Sequence, residues 1–279
     1  KALAVAKEGL TMPDVYASIA KADRATQARL AEILELRAAD PQQRAMVEQY
    51  LSEIELPKGA RALEVGCGPG PVSRRIAELP EVSEVIGLDP SAVFLERARE
   101  LAKHLSKVSF CQGDGRALDL ADESFDFVLF HTTLCHIPEP EKALREAHRV
   151  LRPNGWLVAF DGDYVTTTVA IGELDPLQPV VEAMIANFVH DRWLTRRLPK
   201  MLASIGFAVK NTRSHGYTQT SEPTYMLTIV DRGADLLAAN GSLGADAAEA
   251  LKLEARRRVK AGEFFGHISF VSVIARRGT

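Results

Sequence analysis

The residues richest in chemistry stand at the ends of three short apolar runs. Leu63-Glu64-Val65 breaks into Gly66-Cys67-Gly68-Pro69-Gly70, a glycine-rich turn with an acid just ahead of it. Glycine suits a backbone that must take positive φ or lie directly against a ligand. A second run, Val85-Ile86-Gly87-Leu88-Asp89-Pro90, ends in an acid twenty-three residues beyond Gly66. A carboxylate placed there can accept hydrogen bonds from both hydroxyls of a ribose. The third run ends in Gly113-Asp114-Gly115-Arg116, where a carboxylate can accept from an exocyclic amine such as that of adenine. In the dinucleotide fingerprint the third glycine falls five positions after the first. Here Gly66, Gly68 and Gly70 are evenly spaced at two, which disfavours a nicotinamide dinucleotide and an oxidoreductase. Each acid also has a structural use open to it: Glu64 as a loop anchor, Asp89 as a helix cap beside Pro90 and Ser91, Asp114 as a turn residue.

Three such groups reach one ligand only if the runs are neighbouring strands. From Ala62 to Phe160 short β-branched runs alternate with longer amphipathic ones. Strands are expected near 62–65, 85–88, 108–112, 125–130 and 156–160, with helices near 72–78, 91–105 and 139–151. That rhythm predicts a parallel sheet covered by helices on both faces, with ligands at the carboxyl ends of the strands. Before it, apolar residues at three- and four-residue steps from Asp14 to Ile54 predict helices, interrupted at Asp40-Pro41. After Asp161 a polar segment leads to a helical run from Val180 to Ile205. Strand-like Phe207 to Thr218, helices between Thr224 and Gly262, and a last strand His267 to Ala275 follow.

In order and spacing, Glu64 to Gly70, Asp89, Asp114, Phe125-Asp126-Phe127-Val128 and Leu151-Arg152-Pro153-Asn154-Gly155 resemble the successive motifs of class I S-adenosylmethionine-dependent methyltransferases. The resemblance is to the small-molecule branch that includes the ubiquinone and menaquinone C-methyltransferases, and it covers about residues 55 to 160. It implies a seven-stranded, mostly parallel Rossmann-like α/β sheet with strand seven antiparallel. Residues 1–54 would form a helical amino-terminal segment and 55–279 the methyltransferase domain, with helical insertions at about 164–200 and 222–262 forming a lid. The implied cofactor is S-adenosylmethionine, leaving as S-adenosylhomocysteine. Gly66, Gly68 and Gly70 would wall its methionine part, with Glu64 beside them. Asp89 and Pro90 would take the ribose, and Asp114, Gly115 and Arg116 the adenine. His131 and Thr132 would flank the sulfonium, and Tyr16 would fold over the cofactor.

Methyl transfer from a sulfonium is an in-line displacement, accelerated chiefly by holding the partners in a near-attack geometry. A base is needed only where the acceptor keeps a proton. The candidates near the carboxyl edge are His136, His131, Asp161 and Asp163, with Tyr16, His190 and His215 offered by the helical cover. Catechol-type enzymes resemble one another in placing Mg²⁺ ligands where Asp161 and Asp163 stand, but such a site needs a further acid at the end of the fourth strand. That position is His131, so no metal is expected. His131-Thr132-Thr133-Leu134 also departs from the Asn/Asp-Pro-Pro-aromatic motif of the adenine- and cytosine-amino methyltransferases.

Composition narrows the partners. The chain has 279 residues, 46% of them hydrophobic, with a formal net charge of only −3. A core is affordable and no global positive field exists for a nucleic acid. Cys67, Cys111 and Cys135 are three in number and lack metal-ligand spacing, so a reducing, cytoplasmic setting is expected, with no disulfide framework. Ala2 to Ala6 is too short for a signal peptide or membrane span. The expected function is transfer of a methyl group to a C, O or N atom of a small, apolar or aromatic metabolite, with a homodimer as one option for assembly. The alternative is a protein of this fold that binds the cofactor without methyl transfer, or turns it to another reaction such as cyclisation.

Overall fold

The computed structural model describes residues 14–279, so the run Ala2 to Ala6 lies outside the described residues. The chain begins with helices α1 (Arg24–Ala39) and α2 (Pro41–Ser52). Asp40 separates them: its carboxylate accepts from the Gln42 and Gln43 amides, and Pro41 starts α2 where a missing N–H is tolerated. Alternation then sets in with β1 (Ala60–Val65), α3 (Pro71–Ala77), β2 (Val82–Asp89), α4 (Ala92–Ala102), β3 (Val108–Gln112), β4 (Phe125–His131) and α5 (Pro140–Val150). Next come β5 (Leu151–Thr168), α6 (Gln178–Phe188), α7 (Leu194–Ile205), β6 (Phe207–Gln219), α8 (Thr224–Ala239), α9 (Ala245–Ala261) and β7 (Gly266–Arg277).

The strands form one sheet in the order β3-β2-β1-β4-β5-β7-β6. β1 pairs parallel with β2 and β4, β2 with β3, and β4 with β5, while β7 runs antiparallel between β5 and β6. This is the doubly wound α/β sheet expected, with strand seven reversed. Phe127, Val128, Leu129 and Phe130 on β4 are all inaccessible, as a central strand covered on both faces requires. The order reverses between β1 and β4, which opens a crevice at their carboxyl ends.

β5 continues to Thr168 rather than stopping at Phe160, because β7 keeps pairing with it through Asp161↔Val271, Asp163↔Ser269 and Thr168↔His267. Residues 164–168 are therefore strand, and α7 packs on α5 and the β5-β6-β7 part of the sheet. The extra helical layer is α6, α8 and α9. At its centre Gly233 of α8 lies so close to α6 that a Cβ there would stand 2.1 Å from the Val180 carbonyl oxygen. Among the described residues no helix is long and apolar enough to cross a membrane.

Candidate active site

A cavity of about 1080 Å³ opens over the carboxyl ends of β1, β2, β3 and β4, roofed by residues 16–21 and by α1 and α2. It lies at the top of the usual size range for small-molecule sites, with room for a cofactor and a second reactant.

After β1 the backbone turns through Gly66 (φ 73°) and Gly68 (φ 55°), both on the cavity wall. A Cβ on Gly66 would stand 2.2 Å from the Thr133 side chain. Gly70 has another task. It starts α3 at φ 80° and packs against Phe110, with which a Cβ would collide at 2.7 Å, and it does not line the cavity.

Glu64 is 2% exposed, accepts from the Ser73 hydroxyl, and is pushed by burial to a pKa of about 8. Asp89, also buried, is pushed by burial to about 6 against the pull of two backbone amides. Those amides are Gly68 N at 2.9 Å and Ser91 N at 2.8 Å. Ser91, not Asp89, caps α4 by accepting from the Phe94 amide. Asp89 thus ties the glycine loop to the start of α4 and still faces the cavity beside Pro90. Asp114 is held below the usual carboxylate range by the Arg116 guanidinium at 2.7 Å, and both line the cavity with Gly115.

At the end of β4, His131 stacks on Phe160 with ring centroids 4.8 Å apart, and its Nδ1 lies 3.0 Å from the Tyr50 hydroxyl. Burial first, then the Arg37 charge, lower its pKa to about 3, so the imidazole is neutral. Burial holds the Tyr50 phenol well above its ordinary pKa, and its hydrogen-bond partner among the described residues is His131. The phenol and Nδ1 share one hydrogen bond, whose direction follows the ring tautomer. Thr132 follows at φ 50° and accepts from the Arg37 guanidinium at 2.6 Å.

His136 also lines the cavity. Its Nδ1 is 2.6 Å from the Asp14 carboxylate, and the Tyr16 ring packs on it at 4.9 Å. Burial pushes Asp14 up, but His136 and the Tyr16 and His190 backbone amides outweigh it and bring its pKa below the usual value. The remaining candidates stand apart from the cavity. Asp161, 1% exposed, accepts from the Cys135 and Gly162 amides at 3.0 Å each, pinning the turn after β4 from behind. Asp163 pairs with Arg196, and His215 bonds Ser272 between β6 and β7. His190 contributes only its backbone amide to Asp14. Sequence reasoning passed over Arg37, Gln43 and Tyr50. Arg37 stands seven residues after Leu30 and three after Leu34, on the apolar stripe of α1, and a cation on that stripe is the signal that was available.

Residues 63–159 match a family model described as a methyltransferase domain. The matched residues form a methyltransferase domain set in a sheet of the class I methyltransferase fold. Over 44% of its length it is 33% identical to the demethylmenaquinone methyltransferase of Staphylococcus carnosus, covering 51% of that protein. It spans about half the length of the curated relatives it matches. A solved structure of a putative methyltransferase from Bacillus halodurans superposes with a TM-score of 0.61 at 21% identity, covering 84% of this chain and 99% of that one. A phosphoethanolamine N-methyltransferase of Haemonchus contortus, solved with S-adenosyl-L-methionine, gives 0.54 at 17% identity, with coverage of 84% and 53%. Around the methyltransferase domain, α1 and α2 and the layer of α6, α8 and α9 complete the described fold.

Proposed function

We propose that this chain transfers the methyl group of S-adenosylmethionine to a C, O or N atom of a small, apolar or aromatic metabolite. The reading rests on one observation above all: Glu64, Gly66, Gly68, Asp89 and Asp114, from three adjacent strand ends, line a single cavity inside the methyltransferase domain. Their chemistry fits the cofactor. Asp89 keeps acceptor capacity for ribose hydroxyls beyond the two amides it holds, and Asp114 with the Gly115 and Arg116 backbone suits an adenine edge. The glycine loop brings bare backbone to the wall where the methionine part would lie. When bound, S-adenosylmethionine supplies a methyl group activated on sulfur.

The protein's share is positioning, exclusion of water and control of one proton. His131, held neutral by burial and the Arg37 charge, is a poor base. His136 is the group built to accept a proton, because the Asp14 carboxylate takes its Nδ1–H and leaves the Nε2 lone pair free, as in a carboxylate-histidine dyad. Asp161 acts through the turn it anchors rather than on substrate. Residues 16–21 with α1 and α2 roof the cavity, and we assign the lid to them; the expected lid from the insertions at about 164–200 and 222–262 lines none of it, since no lining residue comes from α6, α8 or α9.

The deciding experiment is calorimetric titration with S-adenosylmethionine and with S-adenosylhomocysteine, followed by transfer of labelled methyl to a panel of aromatic metabolites. Micromolar binding and labelled product are expected. Binding of neither ligand overturns the reading, whereas tight binding with no transfer to any acceptor favours the alternative of a binder or cyclase.

A further inference from the structure

Helix α1 carries a cation into the cavity without a carboxylate to match it. The Arg37 guanidinium lines the wall and donates to the Thr132 hydroxyl at 2.6 Å. Among the described residues no carboxylate reaches it. The acids around it are engaged elsewhere: Glu35 with Arg74 at 2.8 Å, Glu48 with Arg75, Asp40 with the Tyr217 hydroxyl and the Gln42 and Gln43 amides, and Asp14 with His136. A guanidinium in a cavity normally meets a carboxylate or phosphate in a bidentate pair.

A second, independent group points the same way. Gln43, one turn into α2, is 3% exposed and lines the same cavity, and its side-chain Nε2 has no hydrogen-bond partner. Burying an amide donor unpaired is costly, and a ligand oxygen removes that cost. Arg37 and Gln43 thus place two donors without an anionic partner on this wall, whereas the strand ends of β2 and β3 offer the acceptors Asp89 and Asp114.

The two walls serve different parts of the contents. On α1, Leu34 and Glu35 face the glycine loop, Leu34 against Gly68 and Glu35 against Arg74 of α3. Arg37, one turn further along α1 and on the same face as Leu34, reaches the end of β4 through Thr132. That places it at the β4 end of the cavity, while Glu35 stands at the glycine loop.

We infer that the methyl acceptor is an acid: an aromatic carboxylate whose charged group is held by Arg37 and Gln43 while its ring lies beside Tyr16 and His136. The inference rests on the methyl-transfer reading and narrows its acceptor from apolar or aromatic metabolites in general to anionic ones. The carboxylate fixes orientation and is not the methylated atom. Arg37 and Gln43 are specificity-determining residues, and His136 stays the proton acceptor.

The test uses a near-isosteric probe pair, a hydroxynaphthoate anion and the corresponding neutral hydroxynaphthamide, followed by ligand-observed NMR with and without saturating S-adenosylhomocysteine. The carboxylate is expected to bind at least about tenfold more tightly than the amide. Arg37→Met and, separately, Gln43→Leu should erase that preference while S-adenosylhomocysteine binds each variant as it binds the unaltered chain, which also shows that the variants fold. Equal affinity for the two probes, or binding of neither, overturns the inference. It also falls if Arg37→Met weakens S-adenosylhomocysteine but not methylthioadenosine, which lacks the amino acid, since Arg37 then holds the carboxylate of the cofactor. Failure of the unaltered chain to bind S-adenosylhomocysteine tells against the methyltransferase reading, and the charge preference is still measured on the cofactor-free protein.

Discussion

Two buried acids beneath the glycine loop make its stability depend on pH in a direction opposite to that of an ordinary ion-paired carboxylate. Burial raises Glu64 from 4.5 to about 8 and Asp89 from 3.8 to about 6. The folded chain therefore binds more protons than the unfolded one across that interval, and the contribution of each group is full below its unfolded value and lost as pH rises through its folded value. Denaturant titrations between about pH 5 and about pH 9 should show stability falling by a few kcal/mol as pH rises. Glu64→Gln should remove the upper part of that fall, and an unchanged profile would mean that Glu64 is ionised in the folded chain. Asp89→Ala should weaken S-adenosylhomocysteine binding by about 1.5–3 kcal/mol, the scale of hydrogen bonds to a charged group. Because it also strips the acceptor from the Gly68 and Ser91 amides, it should lower stability by roughly 1–3 kcal/mol. Calorimetry and an unfolding titration read the two effects apart, and undiminished affinity would remove Asp89 from the ribose site.

Between elements, the contact that closes the roof is the one from Asp14 and Tyr16 to His136, a span of 122 residues. Asp14 lies below its ordinary pKa, so its contribution is present above 3.8 and lost as pH falls through its folded value. Asp14→Asn keeps the shape, loses the charge, and should leave the sheet intact while loosening the roof. Faster limited proteolysis ahead of α1 with an unchanged unfolding midpoint is the expected pair of results, and unchanged proteolysis would show that the segment is held by other contacts. In the opposite layer, Gly233→Val drives a side chain into the Val180 carbonyl, and overpacking of this kind costs about 1–3 kcal/mol. Denaturant unfolding should register that loss, and a neutral result would mean that α6 and α8 slide apart freely. These elements were the least legible in the sequence. The first three strands announce themselves because each is a compact apolar run leading into a glycine or an acid, and β4 by its run Phe125-Asp126-Phe127-Val128. The extension of β5 does not, because Asp161-Gly162-Asp163 reads as a turn, and only its pairing with β7, more than a hundred residues away, makes it strand. Arg37 and Gln43 stayed hidden for a related reason: charged and amide side chains in a helix read as a solvated face until the neighbours that enclose them are known.

Across the whole molecule, the cavity is shared between parts distant in sequence: the roof from residues 16–48, the glycine loop, and the ends of β2, β3 and β4. A ligand seated there joins the roof to the sheet, and any ligand that binds the folded chain alone stabilises all of it by mass action. At a hundredfold excess over its dissociation constant that gain is about 2.7 kcal/mol. For a chain of this size it should lift the unfolding midpoint by roughly 5 °C. S-adenosylhomocysteine and S-adenosylmethionine should both produce the shift, and NAD at the same concentration should not, because the even spacing of Gly66, Gly68 and Gly70 and the acid ahead of them are wrong for a pyrophosphate. With Asp14→Asn the shift should persist but shrink, since the ligand must then order a roof that is no longer latched, and that ordering is subtracted from its affinity. A shift of full size in Asp14→Asn would mean that the roof contributes nothing to holding the ligand and that the strand ends alone form the binding site.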